Sequence, residues 1–123
     1  MDMDAYQAFT RTTASYRQPT TGVRDGGSGR RNNLEYVHMG ITSEVGELCD
    51  LRKLEIRDGL TISRQERMKE LGDILWYLAR LAAEYDILLS EVANANMAKL
   101  MERQARGTIN KTEVGPREEE TNG

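Results

Sequence analysis

The chain has one cysteine, Cys49, and one histidine, His38. A lone cysteine excludes an internal disulfide framework and fits a reducing compartment. The two counts together exclude structural zinc sites of the Cys/His kind. They also leave serine–histidine–aspartate and cysteine–histidine catalysis short of residues, and no nucleophile elbow is present. Glu35 and His38 have the i, i+3 form used in di-iron carboxylate bundles, but that architecture needs two such motifs. A Walker-type phosphate loop is missing, since Gly26-Gly27-Ser28-Gly29 is too short and irregular to serve. No apolar run approaches the roughly 20 residues that span a bilayer. The acidic Met1-Asp2-Met3-Asp4 start lacks the apolar segment of a signal peptide, so a soluble cytoplasmic protein is expected. There is no basic excess either: the net charge is −3 and the pI is near 5.3, which argues against stable nucleic-acid binding.

Only two prolines and 6% aromatic residues accompany many Glu, Arg, Leu, Ala and Met. That balance predicts an all-α domain. A chain of 123 residues has room for one modest core. With 38% hydrophobic residues and a mean hydropathy of −0.65, much of it must be loop, tail or solvated helix face.

Helical periodicity organises the chain into four segments. Residues 3–17 place Tyr6, Phe9, Thr13 and Tyr16 at helical spacing, and Pro19 is the expected stop. Residues 19–33, rich in glycine and arginine, read as a flexible loop or as a basic flap that meets phosphates. The second helix is expected from Leu34 to Arg57, with Leu34, Val37, Ile41, Val45, Leu48 and Leu51 as its apolar stripe; Asp58-Gly59 ends it. Ser63 and Glu66 have capping-box spacing and open a third helix reaching Tyr85. Its stripe is Met68, Leu71, Leu75, Leu78 and Ala82, with Asp73 and Arg80 toward the polar side. The fourth helix is expected from Leu89 to Arg106, with Asn96 in its apolar face and Lys99 and Arg103 flanking. One domain over residues 1–106 and a disordered tail over 107–123 are expected.

Two acidic signatures stand out: Glu44-Val45-Gly46-Glu47 and Glu70-Leu71-Gly72-Asp73. Each sets two carboxylates at i and i+3, on one side of a helix. Residues 48–69 between them suffice to end one helix, turn and begin the next, so the pairs can face each other. Glu44 falls inside the apolar stripe, a costly place for a carboxylate unless it is paired, protonated or metal-bound. Gly46, in mid-helix, costs about 1 kcal/mol against alanine and calls for a close approach by a backbone or ligand. Four converging acids repel one another unless a cation joins them, and hard oxygen ligands suit magnesium, with manganese as a substitute. Such cations would neutralise a polyphosphate and activate water. Asn96 with Lys99 and Arg103 is one way for a helix to reach a nucleotide; a register-fixing asparagine is the other reading.

Three blocks in order, Gly40-Ile41-Thr42-Ser43-Glu44-Val45-Gly46-Glu47-Leu48, Glu70-Leu71-Gly72-Asp73-Ile74-Leu75-Trp76-Tyr77-Leu78 and Asn96-Met97-Ala98-Lys99-Leu100, strongly resemble the MazG-like nucleotide pyrophosphohydrolases of the all-α NTP pyrophosphatase group. The resemblance spans roughly residues 34–107, and Tyr6-Gln7 adds to it. It implies a four-helix-bundle-type fold completed by homodimer or homotetramer formation. It implies magnesium-dependent cleavage of a nucleoside triphosphate between the α and β phosphates, giving monophosphate and pyrophosphate, in nucleotide-pool house-cleaning. Glu44, Glu47, Glu70 and Asp73 would hold the metal, and Glu44 would also activate water. Asn96 and Lys99 would contact the nucleotide, with Arg103 and Lys53 as further phosphate ligands. His38 and Trp76 either line a base pocket or are ordinary packing and hydrogen-bonding residues. A non-catalytic helical interaction module and a phosphoribosyl-ATP pyrophosphohydrolase are the alternatives. Leu88 departs from the pattern, standing where a capping serine is usual.

Overall fold

The computed structural model describes residues 1–16 and 28–107, with side chains from Asn33 onward in the second stretch. Residues 17–27, which take in the first nine residues of the expected 19–33 loop, and the tail from residue 108 lie outside the described residues. Four helices and no strand are present among those described: α1 (Met3–Thr12), α2 (Ser28–Asp58), α3 (Arg64–Glu84) and α4 (Leu89–Arg106). The chain divides into two compact units, Met1–Val92 and Ala93–Gly123.

Local signals set most of the boundaries. α3 opens on the full capping box: Ser63 Oγ accepts from the Glu66 amide, and Glu66 Oε2 accepts from the Ser63 amide, each at 3.1 Å. α2 stops at Asp58, and Gly59 follows with a left-handed φ of +67°. Two ends differ from the expectation. α1 ends at Thr12, not near residue 17, so Pro19 is not its stop. Thr10, Thr12 and Thr13 hydroxyls donate to the carbonyls of Gln7, Phe9 and Thr10, local bonds that compete with helix propagation. At the other side, α2 begins at Ser28. The last residues of the expected loop are therefore helical.

α2 and α3 form the main packing pair. Their contacts run from Glu55 with Arg67 near the loop, through Gly40 with Tyr77, to His38 with Tyr85, the order of an antiparallel hairpin. Arg67 also clamps Glu55 together with Arg52. The Arg67 hydrogen bond holds the Glu55 carboxyl below its usual range, against the opposing effect of burial. A lowered folded-state pKa contributes stability that is present above the unfolded value and lost as pH falls through the lowered one. Arg67→Met should therefore melt below wild type near neutrality. The gap should close as the pH drops below the ordinary glutamate value of 4.5, followed by circular dichroism.

α1 packs on α3 with an unexpected face. Phe9 is exposed, while Gln7 and Thr10 are buried. A polar pair is tolerated there because Gln7 is saturated with backbone partners, donating to the Ala79 carbonyl at 3.2 Å and the Ile87 carbonyl at 2.9 Å. The buried apolar core among the described residues is thin: Val37, Ala79, Ala82 and Leu89. Of the expected stripes, only Val37 and Ala82 are buried, and Leu34, Ile41, Leu48, Leu51 and Leu78 are half-buried. Val45, Met68, Leu71 and Leu75 remain exposed. Arg80, expected on the polar side with Asp73, is instead buried at 6% exposure.

Candidate functional site

The α2–α3 register brings three of the four signature carboxylates together. Glu44 and Glu47 on α2 and Glu70 on α3 each offer one oxygen, and these oxygens lie within 4.8 Å of one another. Glu44 and Glu70 are half-buried and Glu47 is exposed. Glu44 Oε2 and Glu70 Oε2 are shielded from solvent and have no hydrogen-bond partner among the described residues. Shielded carboxylate oxygens without donors are costly and call for a cation or a proton. The Glu44 carboxyl is accordingly pushed above its ordinary value, first by burial, then by the charge of Glu47, with Asp73 and Glu70 adding to it. Oxygen donors of this kind fit a hard divalent cation.

Asp73 does not join the triad. Its side chain is one methylene shorter than glutamate and starts one turn beyond Glu70 on α3. Its charge is still felt: it raises the pKa of Glu44 and contributes to raising those of Tyr6 and Tyr77. It lies at the edge of the cluster, on an exposed position.

An open cavity of about 250 Å³ adjoins Glu44, lined by Tyr36, Met39, Gly40, Ser43 and Tyr77. The Tyr77 ring approaches Gly40 so closely that a Cβ there would come within 2.1 Å of the ring. Burial, then a hydrogen bond with Tyr36, pushes the Tyr77 hydroxyl up to about 12, so it stays protonated at neutral pH. Behind these rings, Tyr16 stacks on Tyr36 at 4.9 Å, and Trp76 meets Tyr16 and Tyr77 edge-on. Tyr36, Gly40 and Tyr77 were not among the expected site residues. A usable signal existed: Tyr36, Gly40 and Glu44 follow at i, i+4 and i+8, one ridge of one helix.

The other expected site residues have the following surroundings. His38 bonds the Leu34 carbonyl through Nδ1 at 2.7 Å and the Tyr85 hydroxyl through Nε2 at 3.3 Å. Trp76 donates through Nε1 to Thr13 Oγ1 at 2.8 Å. Neither lines the cavity beside Glu44. Lys53 is exposed on α2 and pairs with Asp50 at 3.5 Å. Asn96, Lys99 and Arg103 lie on α4 within the second unit. Asn96 is exposed, not buried in an apolar face.

Comparison with known proteins adds three findings. The MazG nucleotide pyrophosphohydrolase domain matches residues 32–107 of the chain. The Gene 37 protein of Mycobacterium phage L5 is 39% identical over 113 residues, covering 89% of this chain and 94% of the phage protein. No solved structure matches.

Proposed function

The chain belongs to the MazG nucleotide pyrophosphohydrolase family, and from that premise we propose that it hydrolyses a nucleoside triphosphate between the α and β phosphates with magnesium, in nucleotide-pool house-cleaning in the cytoplasm. The observation that carries this reading is the Glu44–Glu47–Glu70 triad with its two shielded, donorless oxygens. These three side chains would hold the cation, with Asp73 as the adjacent fourth. Magnesium, when bound, would supply neutralisation of the polyphosphate charge.

Glu44 acts on the water. Burial and its acidic neighbours raise its pKa, which favours its taking up a proton. It orients a water, takes its proton as the new P–O bond forms, and the anhydride bond breaks to release monophosphate and pyrophosphate. The cavity lined by Tyr36 and Tyr77 seats the nucleoside part. Asn96 and Lys99 contact the nucleotide, with Arg103 and Lys53 for further phosphate charge. The uncovered stripe of Val45, Met68, Leu71 and Leu75 favours a homodimer or homotetramer, because large apolar patches mark interaction surfaces. No helix among the described residues is long and apolar enough to cross a membrane.

The test is a panel of standard and modified nucleotides with magnesium, scoring pyrophosphate. Pyrophosphate and monophosphate in equal amounts, lost on chelation and restored by magnesium or manganese, are expected. Orthophosphate as the first product, or no turnover with either metal, would overturn the reading.

A further inference from the structure

α4 begins without a capping side chain of its own. Leu88 precedes its first residue; the Leu88 amide is met locally by Glu91 Oε2 at 2.7 Å, and the Glu91 amide by the Leu88 carbonyl at 3.0 Å. The next two amides would be orphans, as at any helix start. They are not, because α1 supplies both acceptors from more than 80 residues away in sequence. The Leu89 amide donates to Gln7 Oε1 at 2.9 Å. The Ser90 amide donates to Asp4 Oδ1 at 3.0 Å, and Ser90 Oγ donates to Asp4 Oδ2 at 2.7 Å. An aspartate at this position also complements the positive end of the helix dipole.

Gln7 does more than cap. It is 5% exposed, and its Nε2 donates to the Ala79 carbonyl in α3 and the Ile87 carbonyl in the α3–α4 turn. One side chain thus ties α1 to the end of α3, the turn and the first residue of α4. The amide group suits this place because it offers two donors and an acceptor without charge. Neither leucine nor glutamate does so. The turn itself is strained, with Asp86 at φ +57°, so it needs external support.

We propose that Gln7 and Asp4 are positioning residues, which cap α4 from another helix and so fix the start of the segment that carries Asn96 and Lys99. This rests on the pyrophosphohydrolase reading for its functional half. α4 is uninterrupted from Leu89 to Arg106, and Asn96 and Lys99 stand about two and three turns beyond the cap. A helix whose first turn is loosened presents those side chains in a wider range of positions. The expected cost falls on nucleotide binding, not on the bond-breaking step.

The experiment combines steady-state kinetics, with the best nucleotide of the panel, and amide hydrogen exchange on the full chain. Gln7→Leu and Asp4→Ala should raise KM about ten-fold with kcat within about two-fold. The Leu89 and Ser90 amides should exchange faster, while α2 amides keep wild-type protection. Gln7→Leu added to Asn96→Ala should raise KM by much less than it does alone, because both act on one contact. Thr12→Ala, an exposed position on the same helix, should leave both readouts at wild type. If Gln7→Leu fails to fold, Asp4→Ala decides. Wild-type turnover with unchanged KM and unchanged Leu89 and Ser90 exchange in the variants overturns the positioning role alone, as do fully additive KM effects. Absence of wild-type turnover overturns the pyrophosphohydrolase reading and the functional half of this one, and faster Leu89 and Ser90 exchange would still uphold the cap.

Discussion

Glu44→Gln should lower kcat by about 10²- to 10⁴-fold, the range lost with a general base, and at the same time make the metal-free protein more stable. The two effects share one cause. Glu44 has a shielded oxygen without a donor and negative neighbours in Glu47, Asp73 and Glu70. Removing its charge relieves that repulsion and removes the base. The pH dependence has a definite sign. The folded-state pKa lies above the ordinary value of 4.5, so the fold disfavours the ionised form. The penalty is absent below the ordinary value and grows as pH rises through the raised one. The melting temperature of metal-free Glu44→Gln should therefore exceed that of wild type by a margin that widens from acid to neutral pH. Magnesium should narrow that margin by stabilising wild type more than the variant. Glu47→Gln and Asp73→Asn should also abolish turnover with the helical content intact. Retained activity in both would remove the metal assignment. Equal melting temperatures of wild type and Glu44→Gln across pH would remove the account of Glu44.

The second large effect is expected at Gly40. A Cβ there would meet three atoms of the Tyr77 ring at 2.1, 2.5 and 2.6 Å. The ring contacts Trp76 edge-on at 5.0 Å and Tyr36 at 6.4 Å, and moving it would disturb both contacts. Gly40→Ala should cost about 1–3 kcal/mol of overpacking, against about 1 kcal/mol gained in helix propensity. It should also disturb the near-UV signal of the tyrosine cluster. Gly46 and Gly72 make the contrast, because a Cβ at either meets nothing within 4 Å. Gly46→Ala and Gly72→Ala should each stabilise the protomer by about 1 kcal/mol. Urea midpoints of the three variants decide the matter. Gly40→Ala as stable as the other two would show that the Tyr77 ring moves aside without cost. Gly46 is thus not explained by a close approach among the described residues, and activity and assembly state of Gly46→Ala report whether a second copy or the nucleotide approaches there.

The sequence by itself determined what depends on neighbours within one or two helical turns. Ser63 and Glu66 started α3, Asp58-Gly59 ended α2, and periodicity placed α4 from Leu89 to Arg106. The i, i+3 spacing set each pair of acids on one side of its helix, and the intrusion of Glu44 into an apolar stripe marked it as the carboxylate in need of a partner. What lay beyond that reach was decided by packing. The axial register of α2 against α3 selects Glu44, Glu47 and Glu70 as the converging set and leaves Asp73 at the margin. The same register seats Tyr77 on Gly40, not on Gly46. Arg80 is buried and Phe9 exposed, because a helix's covered face depends on what packs against it. The missing cap at Leu88 is supplied by Gln7 and Asp4 from α1, a partnership that no local pattern encodes. Spacing along one helix is fixed by its pitch, but the distance between groups on two helices is fixed only when their side chains interlock.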